Sequence, residues 1–393
     1  MTGDTPPEIR LDGGRSLVAW LARMRAEHPV WQDARGHYHV FRHDDVHRVL
    51  GDPATFSSDT LRLAGGRDVP AGTLLLLDPP EHGTLRRLIS QAFTHRMISG
   101  LAGRVAAVTD ELFAGLTGDS FDLVDALAYP LPVIVIAELL GVPAADRELF
   151  RGWADVLMSS RPDDPESMQA VSRAVQGVDA YLRRQTLERR ARPTADLIGR
   201  LVAAEVDGAR LTDEEVVNFS ALLLMAGHVT TTLLLGSTLL CLDGAPEAAA
   251  ELRADRSLIP AAIEEVLRLR PPFVKVERST TREAEVAGVV IPADRAVSVW
   301  LLSANHDESA FPDPQRFDIH RRPNRHTAFG HGIHYCLGAP LARLEGEIAL
   351  NALFDRFAEL TIDPAEPAPY YESGVYGVKR LRLLAKPAHP PIG

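Results

Sequence analysis

Phe329-Gly330-His331-Gly332-Ile333-His334-Tyr335-Cys336-Leu337-Gly338-Ala339-Pro340 runs into Leu341-Ala342-Arg343-Leu344-Glu345. One of the two cysteines in the chain sits here among three glycines. Pro340 suits the first turn of a helix, where a missing N–H costs nothing. From Leu341 the apolar residues continue through Leu344, Ile348 and Leu350, so the spacing predicts a helix. Cys336 therefore stands just before a helix N-terminus, whose partial positive charge favours thiolate over thiol. The glycines allow a tight turn, let another body approach closely and leave N–H groups to face the sulfur.

Such a thiolate has several uses. It can attack a substrate with His331 or His334 as base, or form a disulfide. A zinc site needs more sulfur or histidine ligands than are grouped here. It can be the single axial ligand of haem iron, with the flat cofactor against the glycine-rich turn. A buried structural role is the commonest fate of a lone cysteine, and the cysteine taken alone favours it.

The stretch as a whole resembles the haem-thiolate signature of the cytochrome P-450 family, F-G-x-G-x-H-x-C-x-G, with every fixed position filled. The resemblance implies a mainly α fold with a small β-rich region wrapped around haem b. It implies one domain over 1–393, its strands chiefly within 30–60, 272–302 and 370–385. Cys336 is then the iron ligand. Phe329, Gly330 and Gly338 shape the haem loop, and His334 matches a propionate ligand.

Composition agrees with a large soluble globule: 393 residues, 46% hydrophobic and 24% charged. Two distant cysteines argue against a disulfide framework and fit a reducing compartment. A formal net charge of −11 disfavours general nucleic-acid binding. Met1–Arg10 is polar and Pro-bearing, without the core of a signal peptide or a membrane anchor. Within the resemblance these features imply the cytoplasmic bacterial type.

Thr212 and Glu215 form a capping box ahead of Val216–Leu242, which carries no full charge. That length suits a membrane span. Its Asn218, Ser220, His228, Thr230–Thr232, Ser237 and Thr238, and its acidic flanks, fit a helix buried through a globule better. Inside it, Ala226-Gly227-His228-Val229-Thr230-Thr231 resembles the family motif A-G-x-[D/E]-T-[T/S] beside the oxygen site. Gly227 leaves room for a ligand, and the Thr230 hydroxyl can bond back to the Ala226 carbonyl and open a local bulge. Val229 stands where the family carries an acid, and valine relays no proton. Three readings follow: Thr230 with ordered water suffices, a substrate hydroxyl or His228 assists, or the reaction has other proton demands. Cys241, on the same helix, reads as a small core hydrophobe.

In Asp78–Leu88, His82 and Arg86 share a helix face. Alone they read as a solvated basic cluster; the resemblance makes them propionate contacts, as it does Arg278 in a strand. Glu265 and Arg268 fill an E-x-x-R at i, i+3 spacing, and the resemblance adds Arg316 as a third member of a structural network. Pro272, Phe273 and Val274 are implied to line the substrate pocket. A lid is implied over 158–171, between helices, with a charged helix from Ser172 to Arg192. Arg321, Arg322, Arg325 and His326 lead into the haem loop; the default is a solvated charge run, and the family implies docking of an acidic ferredoxin there.

The implied function is an O2-dependent monooxygenase acting on a small organic substrate in secondary-metabolite tailoring, such as antibiotic biosynthesis. Electrons then come from a separate ferredoxin and ferredoxin reductase, since no flavin or iron–sulfur motif is present. Two alternatives stay open: the same fold running dehydrogenation, coupling or peroxide-driven oxidation, and a non-catalytic haem-binding protein.

Overall fold

A computed structural model describes residues 5–65, 69, 71–116, 118–158, 164–371 and 374–388. Helices in chain order are α1 (Arg15–Glu27), α2 (His43–Gly51), α3 (Glu81–Ala92), α4 (His95–Ser99), α5 (Ala102–Ala114), α6 (Pro130–Leu140) and α7 (Arg147–Met158). They continue with α8 (Pro165–Ala191), α9 (Leu197–Ala203), α10 (Asp213–Asp243), α11 (Pro246–Ala254), α12 (Ile259–Leu269), α13 (Leu301–Asn305) and α14 (Ala339–Arg356). Strands are β1 (Val30–Gln32), β2 (Tyr38–Val40), β3 (Phe56–Ser57), β4 (Ser120–Asp122), β5 (Glu205–Val206), β6 (Ala209–Arg210), β7 (Val276–Thr280), β8 (Ala284–Val286), β9 (Val289–Ile291), β10 (Ala296–Val299), β11 (Phe357–Ile362) and β12 (Arg382–Pro387). The fold is mainly α with small sheets, as the sequence implies. The chain falls into two compact units: Met1–Asp68 with Phe113–Ala128 and Thr230–Gly393, and Val69–Leu112 with Tyr129–Val229.

The first unit holds a five-stranded sheet in the order β1-β2-β10-β7-β3. Its one parallel pair joins β2 to β10, with Tyr38 opposite Val297; the other pairs are antiparallel. Val40, Val297 and Val299 are fully buried, in a cluster with Val46, Val49 and Leu50 of α2. Trp20, Phe41 and Trp300 pack ring against ring at centroid distances of 5.6–6.0 Å. Such pairs add about 0.5–1.5 kcal/mol each beyond their buried area. Val274 belongs to this cluster at 5% exposure, and Phe273, at 42%, does not. A second sheet, β11-β12-β4, pairs segments far apart in sequence. β4 and β11 lie outside the regions where strands are expected.

In the second unit, local chemistry sets the helix ends. Asp164 accepts from the N–H groups of Glu166 (3.0 Å) and Ser167 (3.3 Å), so α8 starts at Pro165, ahead of the expected Ser172. The expected lid is therefore partly helix; residues 159–163 lie outside those described. Gly141, at φ 81°, ends α6. The Arg189 guanidinium donates to the Gly141 carbonyl (2.8 Å) and to Asp196 (3.1 Å), the N-cap of α9.

α10 begins at its capping box: Glu215 N–H donates to Thr212 Oγ1 (3.2 Å), and Glu215 Oε2 accepts from Thr212 N–H (2.8 Å). It is long and apolar enough to cross a membrane, yet 61% of its most apolar window is buried inside the protein. Cys241 is buried there, and burial pushes its thiol up to about 12, in keeping with a core role.

Candidate active site

The haem-loop stretch is folded by its glycines. Gly330 and Gly332 have φ of 73° and 70°, the left-handed region where a Cβ is strained. A Cβ on Gly332 would also stand 2.6 Å from the Leu50 carbonyl oxygen at the end of α2. Gly332→Ala is thus expected to cost about 2–4 kcal/mol from backbone strain and overpacking together. Urea unfolding of the haem-loaded protein measures it; an unchanged midpoint contradicts it. The loop closes on itself through Gly330 N–H to Thr327 O (2.8 Å), Tyr335 N–H to Gly332 O (3.1 Å) and Cys336 N–H to Phe329 O (2.9 Å). α14 then starts at Ala339, with Pro340 in its first turn.

Cys336 is half-buried. Ile333, His334, Leu337 and Gly338 around it are also only partly covered. A Cβ on Gly338 would meet the Cys336 sulfur at 3.9 Å and no other atom within 4 Å, so protein packing does not itself demand glycine there. Phe329 is held by the Arg343 guanidinium 4.5 Å above its ring.

This loop is anchored to a buried ionic network in the same unit. Arg268 and Glu265 are fully buried and joined by two 2.8 Å hydrogen bonds. Arg268 also donates to the carbonyls of Asn305 (2.8 Å), Pro314 (2.7 Å) and Arg316 (3.2 Å). Asn305 Oδ1 in turn accepts from Thr327 N–H (2.7 Å) and Oγ1 (2.9 Å), at the start of the loop. The expected guanidinium of Arg316 is not the third member: Arg316 supplies its backbone carbonyl. Arg321 takes that place, donating to Glu265 at 3.1 and 3.2 Å, with Asn324 at 3.1 Å.

The basic run before the loop is therefore not uniformly solvated. His326 is buried beside Glu264 (3.2 Å), which also receives Arg343 at 2.6 and 2.9 Å. Burial pushes the Glu264 carboxyl up, but the hydrogen bonds from Arg343 and His326 outweigh it and hold it at about 2. Arg322 and Arg325 are exposed.

The other expected site residues divide between the units. Arg278 lies in β7 of the first unit, opposite Val297, 8% exposed, and donates to the Glu277 carbonyl (2.7 Å). His82 and Arg86 share α3 of the second unit, one turn apart. Burial, and next the Arg86 charge, lower the His82 pKa. Ala226, Gly227, His228, Val229 and Thr230 are consecutive on α10. Ala226 is exposed and Gly227, Val229 and Thr230 are half-buried, while Leu233–Leu235 one turn on are buried. The long helix is thus more open around Met225–Gly227 than at Leu233–Leu235. His228 instead points into packing, edge-on to Tyr129 at 4.3 Å, and burial lowers it to about 4. Tyr129 donates to Asp155.

These features fit a haem. A thiol just ahead of a helix N-terminus suits the donor of such a group, and the space a Cβ on Gly338 would fill lies beside its sulfur.

The chain belongs to the cytochrome P-450 family, a family of haem-thiolate proteins. The family profile matches residues 156–384. The chain is 50% identical over 379 residues to the erythromycin C-12 hydroxylase of Saccharopolyspora erythraea, covering 94% of each chain. It is 48% identical to the cyclomarin C epoxidase CymV of Salinispora arenicola, over 96% of this chain and 98% of that one. The open structure of EryK from S. erythraea superposes at a TM-score of 0.94 with 47% identity, over 99% of this chain and 100% of that one. The chain is a monooxygenase that binds protoporphyrin IX haem and acts with O2 on a small molecule.

Proposed function

We propose that this enzyme hydroxylates or epoxidises a secondary metabolite such as a macrolide, with Cys336 as the iron ligand. The observation that carries the reading is the half-buried cysteine at the start of α14, in a loop whose glycines hold positive φ. The relatives named for erythromycin and cyclomarin support the substrate class.

When bound, haem would supply the oxygen-activating chemistry, favoured by electron density from a thiolate ligand. Cys336 would hold the iron. His82 and Arg86 on α3, Arg278 on β7 and His334 in the loop would hold the propionates by charge-assisted hydrogen bonds. Phe329, Gly330 and Gly338 fix the loop backbone. Gly227 and Ala226 leave space for oxygen, and Thr230 positions a proton donor beside it. His228, neutral at working pH, can relay only as a neutral imidazole. A separate ferredoxin and its reductase supply electrons, docking against Arg322 and Arg325, the exposed part of the basic run. The enzyme works in the cytoplasm.

The test is optical titration of the haem-loaded protein with a panel of macrolides and other secondary metabolites, followed by product analysis. A spin shift and an oxygenated product from one member are expected; neither from any member contradicts the substrate class. Val229 favours a second reading, a reaction with different proton demands, which turnover with peroxide against O2 and redox partners separates. Val229→Glu is expected to leave the spin shift intact and to change the fraction of electrons recovered in product. Unchanged coupling would remove position 229 from the proton path.

A further inference from the structure

The first unit holds a cavity of about 680 Å³, the size of a small-molecule site. It lies between the last turn of α10, the start of α11, the end of α12 and the segment 315–320. Cys241, on its wall, stands roughly 16 Å along α10 from Thr230 at ~1.5 Å per residue. The lining mixes apolar side chains, among them Leu240, Leu269 and Phe317, with the guanidinium groups of Arg270 and Arg316. Arg270 is the C-cap of α12 and lies over the Tyr376 ring at 4.2 Å. Its Nη atoms donate to the hydroxyls of Tyr376 (3.0 Å) and Tyr370 (3.1 Å). Its Nε–H is buried and reaches no acceptor among the described residues, and no carboxylate among them pairs with the group. Burial works against its charge, and what supports that charge most is Tyr376, Tyr370 and Cys241, two phenols and a thiol. By contrast Arg268, two residues earlier, is paired with Glu265. A buried cation without an anion and a buried N–H without an acceptor both cost stability.

The rest of the lining agrees with an anion at this point. Arg316 is exposed at the mouth, and its guanidinium has no ion-pair partner among the described residues. α11 starts after Ala245, which offers no side-chain cap, so the positive end of that helix is open as well. The acids of the lining are placed elsewhere. Glu251 is held by His320 (2.9 Å), Asp318 accepts from the His320 N–H (3.0 Å), and Glu247 is exposed.

We propose that this cavity is a second ligand site and takes a small organic carboxylate. The carboxylate accepts from Arg270 Nε, the apolar body lies against Leu240, Leu269 and Phe317, and Arg316 adds attraction at the mouth. The site adjoins the network that anchors the haem loop: the Arg316 carbonyl accepts from Arg268 (3.2 Å) and the Asp318 N–H donates to Glu265 (3.0 Å). A ligand held against 315–320 therefore stabilises that segment and, by mass action, the folded state. The proposal is independent of the substrate class given above.

The probe is naphthoate, with naphthalenemethanol as its uncharged match and inorganic phosphate as a head group without a body. Calorimetric titration into the haem-loaded protein is expected to show one site for naphthoate, with the alcohol bound about tenfold more weakly or worse and phosphate more weakly still. Naphthoate is also expected to raise the urea midpoint. Gly244→Trp blocks the cavity. A Cβ there meets only the carbonyl oxygens of Leu240 and Cys241, at 3.6 and 3.7 Å, so the backbone accepts a side chain. Naphthoate binding is expected to be lost in Gly244→Trp and to weaken about tenfold in Arg270→Lys, which keeps the charge and removes the Nε–H. Arg316→Ala leaves its carbonyl on Arg268 and is expected to weaken binding about threefold. Naphthoate seated in the haem pocket instead shifts the Soret band and binds Gly244→Trp as tightly as wild type, which overturns the proposal. Equal affinity for acid and alcohol, phosphate bound as tightly as naphthoate, or no binding up to millimolar concentration, with the cavity left to ordered water, overturns it too. Should Arg270→Lys fail to hold haem, Gly244→Trp and Arg316→Ala decide, and unchanged affinity in both is a refutation.

Discussion

Arg268→Ala is expected to yield colourless protein that does not retain haem. The guanidinium is fully buried and makes five hydrogen bonds, two to Glu265 and three to backbone carbonyls. Removing it strands the carbonyls of Asn305, Pro314 and Arg316 and leaves Glu265 to Arg321, Asn324 and the Asp318 N–H. Breaking a buried ion pair from one side costs about 3–5 kcal/mol, a large share of the roughly 5–15 kcal/mol that holds a domain folded. The damage also has a direction. Asn305 links Arg268 to Thr327, and Thr327 accepts from Gly330 inside the loop. The first structure to loosen is therefore the one that carries Cys336. Arg268→Lys is expected to fail as well, since one ammonium cannot reproduce the planar fork. Haem-to-protein ratio after purification measures the effect; a haem-replete Ala variant with the wild-type urea midpoint contradicts it.

Cys336→Ser is the second large effect, of the opposite kind. The loop backbone is set by Gly330, Gly332 and the Cys336 N–H to Phe329 bond, none of which needs the sulfur. The haem-free serine variant should therefore unfold within about 0.5 kcal/mol of the haem-free wild type. Its oxygenase activity should fall by about a thousandfold or more, about 4 kcal/mol of barrier, because an alcohol does not donate electron density as a thiolate does. Rates of product formation at saturating redox partners measure this. Retained turnover would remove Cys336 from the iron.

What was legible in the sequence was local. The glycines of the haem loop, the Thr212–Glu215 box and the Glu265–Arg268 pair are each fixed by neighbours within a few residues, where spacing alone states the geometry. What escaped depends on partners far along the chain. Arg321 reads as one more residue of a basic run; its pairing with Glu265 spans 56 residues. His326 reads the same way and is buried on Glu264. The expected Arg316 guanidinium fails for that reason too, because a motif specifies a residue and not whether its side chain or its carbonyl does the work. Glu345 sits two positions before Glu347 in a charged-looking helix, and nothing local marks one as buried and the other as half-buried. β4 is only three residues long, and β12 pairs with both β4 and β11 across long separations. The early start of α8 had a local signal, Asp164-Pro165, hidden in a stretch that reads as a break.

The most direct measurement is the absorption spectrum of the dithionite-reduced, CO-saturated wild-type protein. A Soret band at the position of thiolate-ligated haem is expected, lost in Cys336→Ser. A band at the imidazole position in the native wild type, or a thiolate band that survives the serine substitution, would mean that Cys336 is not the ligand.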